Sequence, residues 1–214
     1  RARDSFLVFG DMRIFQNRRG KPSGILSRFL FAESENELTI PPDNNLPQQA
    51  PGEEHRWIVT LQGHIEALNN AIHEARVELF IVSPTISSAA ILADRIPAQI
   101  QDAVRRGVSV KIYTDCDLDL DETALRARSS EGRKLLLEAG AELFVVQGIH
   151  SKAIGVDNQV FIDGSFNWLS ANRRLGSRHQ KLESSNFFRG KEAAKRITLL
   201  KQEMEYRGFV DQSG

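Results

Sequence analysis

The feature that most constrains the fold is an alternation of helical and strand-like segments between residues 61 and 146. Apolar residues recur at helical spacing from Leu61 to Ile72, and the run V-E-L-F-I-V-S from Val77 predicts a buried strand. Two further helices are predicted at 96–104 and 132–139, and two further strands at 108–114 and 141–146. This alternation indicates an α/β fold, with a mixed, mostly parallel sheet and helices on both faces.

The following segment predicts a hairpin. The strand-like stretches K-A-I-G-V and Q-V-F-I-D are joined at Asp157 and Asn158, which favour tight turns. A final amphipathic helix is predicted over 191–206.

A proline-rich stretch divides the chain. Residues 40–52, I-P-P-D-N-N-L-P-Q-Q-A-P-G, contain four prolines and no periodic apolar pattern, which predicts an extended linker. We therefore expect an N-terminal segment at 1–39, a linker at 40–54 and a main domain at 55–214. The N-terminal segment contains an apolar run from Ser5 to Phe9 that predicts a strand ending at Gly10-Asp11.

The composition predicts an ordinary globular protein. Hydrophobic residues make up 41% of the chain and charged residues 26%, which argues against disorder or a coiled coil. The 28 basic residues offset the 28 acidic residues, so any surface for nucleic acid must be a local patch. The single cysteine, Cys116, excludes an internal disulfide, and no apolar run approaches the ~20 residues of a membrane span. We expect a cytoplasmic location and no membrane association.

The most informative stretch is H-S-K-A-I-G-V-D-N-Q-V-F-I-D-G-S-F-N-W, from His150 to Trp168. It resembles the HKD motif of the phospholipase D superfamily, H-x-K-x4-D-x6-G-S-x-N, at every fixed position. The matching residues are His150, Lys152, Asp157, Gly164, Ser165 and Asn167. Taken singly, each would be interpreted as a surface or turn residue. Their joint spacing favours an active site, and the resemblance implies a phospholipase D-like fold.

The residue types suit phosphoryl transfer. A neutral imidazole at His150 can attack phosphorus and form a phosphohistidine, or can act as the partner acid. Lys152 supplies a compact positive charge and Asn167 a neutral donor for the negative charge that develops on the phosphate oxygens. Ser165 can donate from its hydroxyl to the phosphate.

Other residues of this region are expected to support that site. Asp157 is predicted to hold the turn, and Gly164 to let the backbone approach closely. The resemblance also implies a downstream carboxylate that orients the ring of His150, and Glu183 in K-L-E-S-S-N has about the expected position.

The superfamily places two HKD motifs around one phosphate, with one histidine attacking and the other protonating the leaving oxygen. This sequence contains one motif. The segment His179-Gln180-Lys181 is followed by Asn186 where the aspartate should be, and no G-S-x-N follows it. The resemblance therefore implies a homodimer, in which a two-fold axis brings two copies of the motif together.

A basic cluster follows the motif. Its members are Arg173, Arg174, Arg178 and Lys181. Such clusters are usually solvated surface, but this position favours contact with a nucleic-acid backbone.

An acidic segment, Asp115 to Glu122, superficially suggests calcium. It lacks the glycine at the sixth position of a calcium loop and has Arg126 in place of the twelfth-position glutamate. We interpret it as a solvated loop, and we expect neither a metal nor another cofactor in this protein.

The first residues, R-A-R-D-S-F-L-V-F-G-D, resemble the last motif of a superfamily 1 helicase motor. Arg1 would then correspond to the arginine that reaches the nucleotide γ-phosphate. The alternative is an arbitrary basic segment that leads into a strand. The resemblance implies a helicase joined to a nuclease through the linker.

Three functions remain open at this stage. The first is a metal-independent nuclease that acts on DNA or RNA, with DNA favoured. The others are a phospholipase or phosphatidyl transferase, and a catalytically silent module that binds nucleic acid. The complete motif argues against the silent module, and the helicase-like start favours nucleic acid over lipid.

Overall fold

The computed structural model describes residues 6–9, 12–15, 52–115, 123–174, 176 and 181–207. The chain divides into two compact units, Arg1–Pro47 and Gln48–Gly214. In the first unit, β1 (Phe6–Phe9) pairs antiparallel with β2 (Met12–Phe15), so the strand predicted here is confirmed over Phe6–Phe9. The predicted turn at Gly10-Asp11, residues 40–51 of the predicted linker and the arginine at position 1 lie outside the described residues.

The second unit alternates strands and helices. Its elements are β3 (Glu54–Ile58), α1 (Leu61–Glu74), β4 (Glu78–Val82), α2 (Ser88–Ala93), α3 (Ile96–Arg105), β5 (Ser109–Thr114), α4 (Thr123–Glu138), β6 (Glu142–Val145), β7 (Ala153–Val156), β8 (Val160–Gly164), β9 (Ser185–Arg189) and α5 (Lys191–Arg207). The described helices include none that is long and apolar enough to cross a bilayer.

The strands of this unit form one seven-stranded sheet in the order β3-β9-β8-β7-β4-β5-β6. The α/β fold class is confirmed, but the sheet holds fewer parallel pairs than expected. Only β4–β5 and β5–β6 are parallel, because these pairs are joined by helical crossovers. The other four pairs are antiparallel, since β7 and β8 form a hairpin, β9 returns beside β8, and β3 lies against β9.

Both faces of the sheet are covered, as expected. In β4, Leu79 and Ile81 point into a core shared with helices α1 to α4, whereas Phe80 and Val82 point to the opposite face. There they pack in one cluster with Ala193, Ile197 and Met204 of α5. The sheet is therefore the middle layer of a three-layer sandwich, and its central strands are apolar on both sides.

Strand β2 of the first unit and three elements of the second unit were not predicted, and one helix begins earlier than expected. Helix α2 is only six residues long, and the edge strand β3 has three exposed residues in succession, so neither shows a clear apolar period. Strand β9 was not predicted either. Helix α4 begins at Thr123 rather than at Gly132. Gly132 lies within the helix, where a Cβ atom would be 2.7 Å from Cγ2 of Ile86, so the glycine allows close helix packing.

Candidate active site

The hairpin of β7 and β8 carries the candidate motif. The chain reverses at Asp157 and Asn158, which have φ values of 50° and 57°, and the N–H of Gln159 donates to the carbonyl of Val156 at 2.8 Å. Aspartate and asparagine tolerate this left-handed backbone better than most residues. The predicted hairpin turn is therefore confirmed.

The carboxylate of Asp157 binds backbone rather than facing the candidate catalytic residues. It accepts hydrogen bonds from the N–H groups of Arg76, Val77 and Glu78, each at 2.8 Å. These bonds tie the hairpin turn to the beginning of β4. Asp157 follows the last residue of β7, whereas Lys152 precedes the first, so the two side chains belong to opposite ends of this strand.

His150 and Lys152 lie side by side in the segment that leads into β7. The Nζ atom of Lys152 is 3.2 Å from Nε2 of His150 and donates to the His150 carbonyl at 2.7 Å. His150 is exposed, whereas Lys152 is only 8% exposed. Burial lowers the pKa of Lys152, and the negative charge of Glu183 opposes this shift. A cation is thus held directly beside an accessible imidazole.

Strand β8 ends at Gly164, and the chain turns here against the segment that precedes β9. The N–H of Ser165 donates to the carbonyl of Ser184 at 3.0 Å, and the Ser165 hydroxyl accepts from the Ser184 N–H at 3.1 Å. A Cβ atom at Gly164 would lie 2.2 Å from the Ser184 carbonyl oxygen, so a side chain would block this contact. The pairing fixes the segment that carries Glu183.

Asn167 and Glu183 line a common cavity of about 670 Å³. Both side chains are partly buried. Burial lowers the pKa of Lys152 and of His64, and the negative charge of Glu183 opposes both shifts, so this carboxylate lies near both groups. The antiparallel pairing of β7, β8 and β9 brings His150, Lys152, Ser165, Asn167 and Glu183 to one end of these strands. His150 borders a separate cavity there, with Ser151 and Arg207.

His64 is a residue of this region that sequence reasoning missed. It is fully buried at 0% exposure, and its Nδ1–H donates to the Thr60 carbonyl at 2.7 Å. Its Nε2 is 3.1 Å from the Ser185 hydroxyl, and its ring stacks on Phe166 with centroids 4.3 Å apart. Burial lowers the pKa of His64. The sequence feature that could have identified His64 is its position three residues after Leu61, on the apolar face of α1.

The structure separates the members of the predicted basic cluster. The Arg173 side chain is 7% exposed, and its Nε is 2.6 Å from Oδ2 of Asp94. Its guanidinium also donates to the carbonyls of Ala171 and Trp168. These contacts fix the chain after the motif and leave Arg173 unavailable to a surface ligand. Arg174 and Lys181 are exposed, whereas Arg178 and His179 lie outside the described residues.

Among the described residues, the site groups are an imidazole, an ammonium, an amide, a hydroxyl and the carboxylate of Glu183. Hard cations such as Mg²⁺ prefer oxygen ligands, especially carboxylates. In the part of the chain that the structure describes, no group of three or more histidine, cysteine or acidic side chains could hold a metal ion. Residues 116–122, most of the acidic segment, are outside that part.

A family model described as "Cardiolipin synthase, PLD-like domain" matches residues 68–199. Among curated proteins, cardiolipin synthase A of Erwinia tasmaniensis is 30% identical over 139 residues, which are 61% of this chain and 27% of that protein. Cardiolipin synthase A of Buchnera aphidicola is 35% identical over 104 residues, or 48% of this chain and 20% of that protein. The chain thus spans about a fifth to a quarter of these relatives.

Solved structures share the fold. Nuc from Salmonella typhimurium, a phospholipase D family member, has a TM-score of 0.58 and 18% identity, covering 75% of this chain and 99% of that chain. NucT from Helicobacter pylori has a TM-score of 0.57 and 16% identity, covering 74% of this chain and 98% of that chain.

Proposed function

The chain belongs to the phospholipase D-like domain family, and from this premise we propose that it is a phosphodiesterase that cleaves nucleic acid through a phosphohistidine, without a metal. The observation that carries the proposal is the contact of 3.2 Å between Lys152 Nζ and His150 Nε2. It pairs an exposed nucleophile with a fixed cation, so a phosphate that reaches the imidazole also meets the positive charge it requires.

The reaction proceeds in two displacements. In the first, a ring nitrogen of His150 forms a bond to phosphorus while the bond from phosphorus to the leaving oxygen breaks. A second histidine, in its protonated form, donates its proton to that oxygen. In the second displacement, water forms the new phosphorus–oxygen bond, the nitrogen–phosphorus bond breaks, and the second histidine takes the proton of the water.

The other residues of the site stabilise charge or hold position. Lys152 and the Asn167 amide serve the phosphate oxygens as negative charge develops. Ser165 is hydrogen-bonded to the Ser184 backbone, so its first contribution is to fix the segment that carries Glu183. Its hydroxyl can also donate to a bound phosphate. Glu183 serves as the carboxylate that orients the His150 ring.

The second histidine comes from a second copy of this chain. One motif supplies one His150, and a two-fold axis through the site would bring the same residue from each copy to one phosphate. His150 suits this role because it is exposed in the single chain.

Nucleic acid, with DNA favoured, is the substrate that we propose. Lys181 lines the cavity that Asn167 and Glu183 share, and Arg174 is exposed a few residues beyond the motif. These cations can contact phosphates that flank the cleaved bond, whereas Arg173 cannot because it is committed to Asp94. We further propose that residues 1–39 are the end of a helicase motor in a cytoplasmic protein. The linker that joins them to the main domain ends where β3 begins, at Glu54.

A second candidate function is phosphatidyl transfer between lipids. The relatives named cardiolipin synthase A and the description of the matched family model favour it. The chemistry at phosphorus would be the same, but the resolving acceptor would be an alcohol instead of water. The two candidates differ in the substrate that is consumed.

The test is incubation of the purified chain with labelled DNA, RNA and phospholipid in excess EDTA. We expect cleavage of nucleic acid, with DNA preferred, and no turnover of phospholipid. His150→Ala should abolish cleavage, whereas His73→Ala, at an exposed histidine on α1 outside the site, should retain it. Exclusive turnover of phospholipid would replace the nuclease by the second candidate, and a fully active His150→Ala would refute both.

A further inference from the structure

The cavity that borders His150 is distinct from the one that Asn167 and Glu183 share. Its volume is about 340 Å³, at the lower end of the ~300–1,000 Å³ that is usual for ligand sites. The segment 148–151 forms one wall, and helix α5 forms the other. Lys152 and Asn167, which we assign to the cleaved phosphate, do not line this cavity. The space beside the nucleophile is therefore open to a neighbouring part of the substrate.

Helix α5 gives this cavity an apolar floor and one permanent cation. Met204 is buried and Leu200 is partly buried, so the floor carries no charge. Arg207 stands at the end of the helix, with its side chain 45% exposed. Its Nη1 atom is 3.9 Å from the place that a Cβ atom would take at Gly148, so the guanidinium lies over the turn that leads into His150.

The guanidinium of Arg207 is oriented by a single contact within the helix. Its Nε–H donates to Oε1 of Glu203, one turn earlier, at 2.9 Å. This bond uses one of the five N–H groups of the planar fork, whose geometry matches phosphate. An exposed ion pair of this kind contributes little to stability, so a phosphate can compete for the guanidinium without loss of the fold.

We propose that Arg207 binds the phosphate next to the cleaved one and thereby distinguishes a polynucleotide from an isolated phosphodiester. With the cleaved phosphate at His150 and Lys152, the strand continues past His150 and brings its next phosphate to the cavity. The exposed hydroxyl of Ser151 lines the same cavity and can donate to that phosphate. A lipid with one phosphate group offers no such second anion. The inference rests on the proposed nucleic-acid cleavage and names a residue that recognises its substrate.

The carboxylate of Glu203 makes this role of Arg207 more important. Glu203 lines the same wall and is exposed, so its negative charge repels a phosphate unless Arg207 offsets it. Removal of Arg207 would therefore eliminate an attraction and also leave a repulsive charge at the cavity.

The test compares two substrates with the wild-type chain and with Arg207→Ala in excess EDTA. One is a single-stranded oligonucleotide, and the other is bis(p-nitrophenyl) phosphate, whose one phosphodiester has no neighbouring phosphate. We expect the ratio of kcat/KM for the oligonucleotide to kcat/KM for the small diester to fall about tenfold or more in the variant, because a charge-assisted contact is lost. The change should lie mainly in KM, since the contact is made before and during the reaction alike. An unchanged ratio would overturn the proposal.

The salt dependence of binding gives a readout that a merely structural role would not move. Each phosphate that a protein cation neutralises adds about −0.7 to the slope of log affinity against log salt concentration for a single strand. In the His150→Ala background, which should bind without cleaving, adding Arg207→Ala should make this slope less steep by about 0.7. Arg207→Lys keeps the charge, so it should keep the slope but lose part of the affinity, because lysine lacks the planar fork.

Arg105→Ala is the matched control. Arg105 is an exposed arginine of α3 that forms a similar ion pair within its helix, with Asp102 at 2.8 Å. Its removal should change neither the substrate ratio nor the salt slope. If thermal unfolding shows that Arg207→Ala is not folded, Arg207→Gln replaces it, because glutamine keeps more of the side chain's packing and removes the charge.

Other outcomes refute specific parts of the proposal. Equal losses on both substrates would show that Arg207 acts at the cleaved phosphate or on the fold, and not at a neighbouring phosphate. A shift from dimer to monomer in sedimentation of Arg207→Ala would show that a second copy covers the cavity instead. Cleavage of the small diester but not of the oligonucleotide by the wild type would refute the proposed nucleic-acid substrate, an outcome that is distinguishable from an unchanged ratio.

Discussion

At the scale of single residues, the motif divides into groups that can react and groups that hold the backbone. His150 is exposed and next to a cation, whereas the carboxylate of Asp157 is fully engaged with three backbone N–H groups. Charge-assisted bonds of this kind are stronger than those between neutral groups. In our proposal, the motif therefore combines the groups that react with a residue that supports the hairpin that presents them.

Replacing Asp157 tests whether its carboxylate stabilises the hairpin. Asp157→Ala removes two acceptor oxygens that accept three hydrogen bonds, and it places alanine at a φ of 50°. We therefore expect a loss of about 2–4 kcal/mol in the free energy of unfolding. Asp157→Asn keeps one acceptor oxygen and tolerates this backbone, so its loss should be about half as large. Urea denaturation measures both. A stability of Asp157→Ala equal to the wild type would contradict the structural role.

Residue-scale prediction succeeded where the information is local. Apart from Asp157, which holds the turn, the motif residues lie at one end of a single hairpin between positions 150 and 167, so their spacing predicted their proximity. The burial of Arg173 could not be predicted in this way, because its ion-pair partner Asp94 is 79 positions away in the sequence. Sequence proximity to the motif suggested a surface cation, but packing made it a buried ion pair.

At the scale of elements, the site depends on the pairing of β8 with β9. The register places Gly164 opposite Ser185, and the segment before β9 then lies against Ser165. His64 joins α1 to the same point through the Ser185 hydroxyl. Strand β9 was not predicted, so the sequence indicated the residue Glu183 but not the contacts that position it. Long-range pairing of this kind is not visible in a local apolar pattern.

His64 should make the stability of the fold depend on pH. Burial lowers its folded-state pKa below the ordinary value of 6.5, whereas the unfolded chain binds the proton near that value. As the pH falls below about 6.5, the unfolded state gains a proton that the folded state does not, and stability is lost down to the lowered pKa. Above about pH 6.5, His64 does not contribute to the pH dependence of stability.

Thermal unfolding between pH 5 and pH 7.5 tests this linkage. The melting temperature of the wild type should fall toward pH 5, and His64→Gln, which does not titrate, should show a smaller fall over the same range. His73→Ala, at an exposed histidine of the same helix, should follow the wild type. Identical slopes for the wild type and His64→Gln would show that the buried imidazole does not control stability.

At the scale of the whole molecule, the central proposal is a site completed by a second copy. The α/β class was predictable from the alternation of patterns, and the excess of antiparallel pairs was not, because it depends on where β9 and β3 return to the sheet. We propose the two-copy arrangement because this sequence contains one motif and because the proposed reaction uses two histidines with different roles at one phosphate.

Mixed dimers should reveal the shared site. Wild-type and His150→Ala chains with different tags are refolded together in varying proportions, and cleavage is measured at constant total protein. If each site needs His150 from both copies, activity falls with the square of the wild-type fraction, to roughly a quarter in an equal mixture. A linear fall, to roughly half, would show that one chain contains a complete site, as would full activity of a strict monomer in sedimentation.

The most direct measurement is a covalent trap carried out without metal. The wild-type chain is mixed with a labelled oligonucleotide in excess EDTA, quenched in alkali to preserve a phosphohistidine, digested and analysed by mass spectrometry. The account predicts a phosphate-linked adduct on the peptide that contains His150, its absence in His150→Ala, and unchanged turnover when EDTA is present. Loss of cleavage in EDTA that magnesium restores, or full turnover with no adduct on His150, would contradict it.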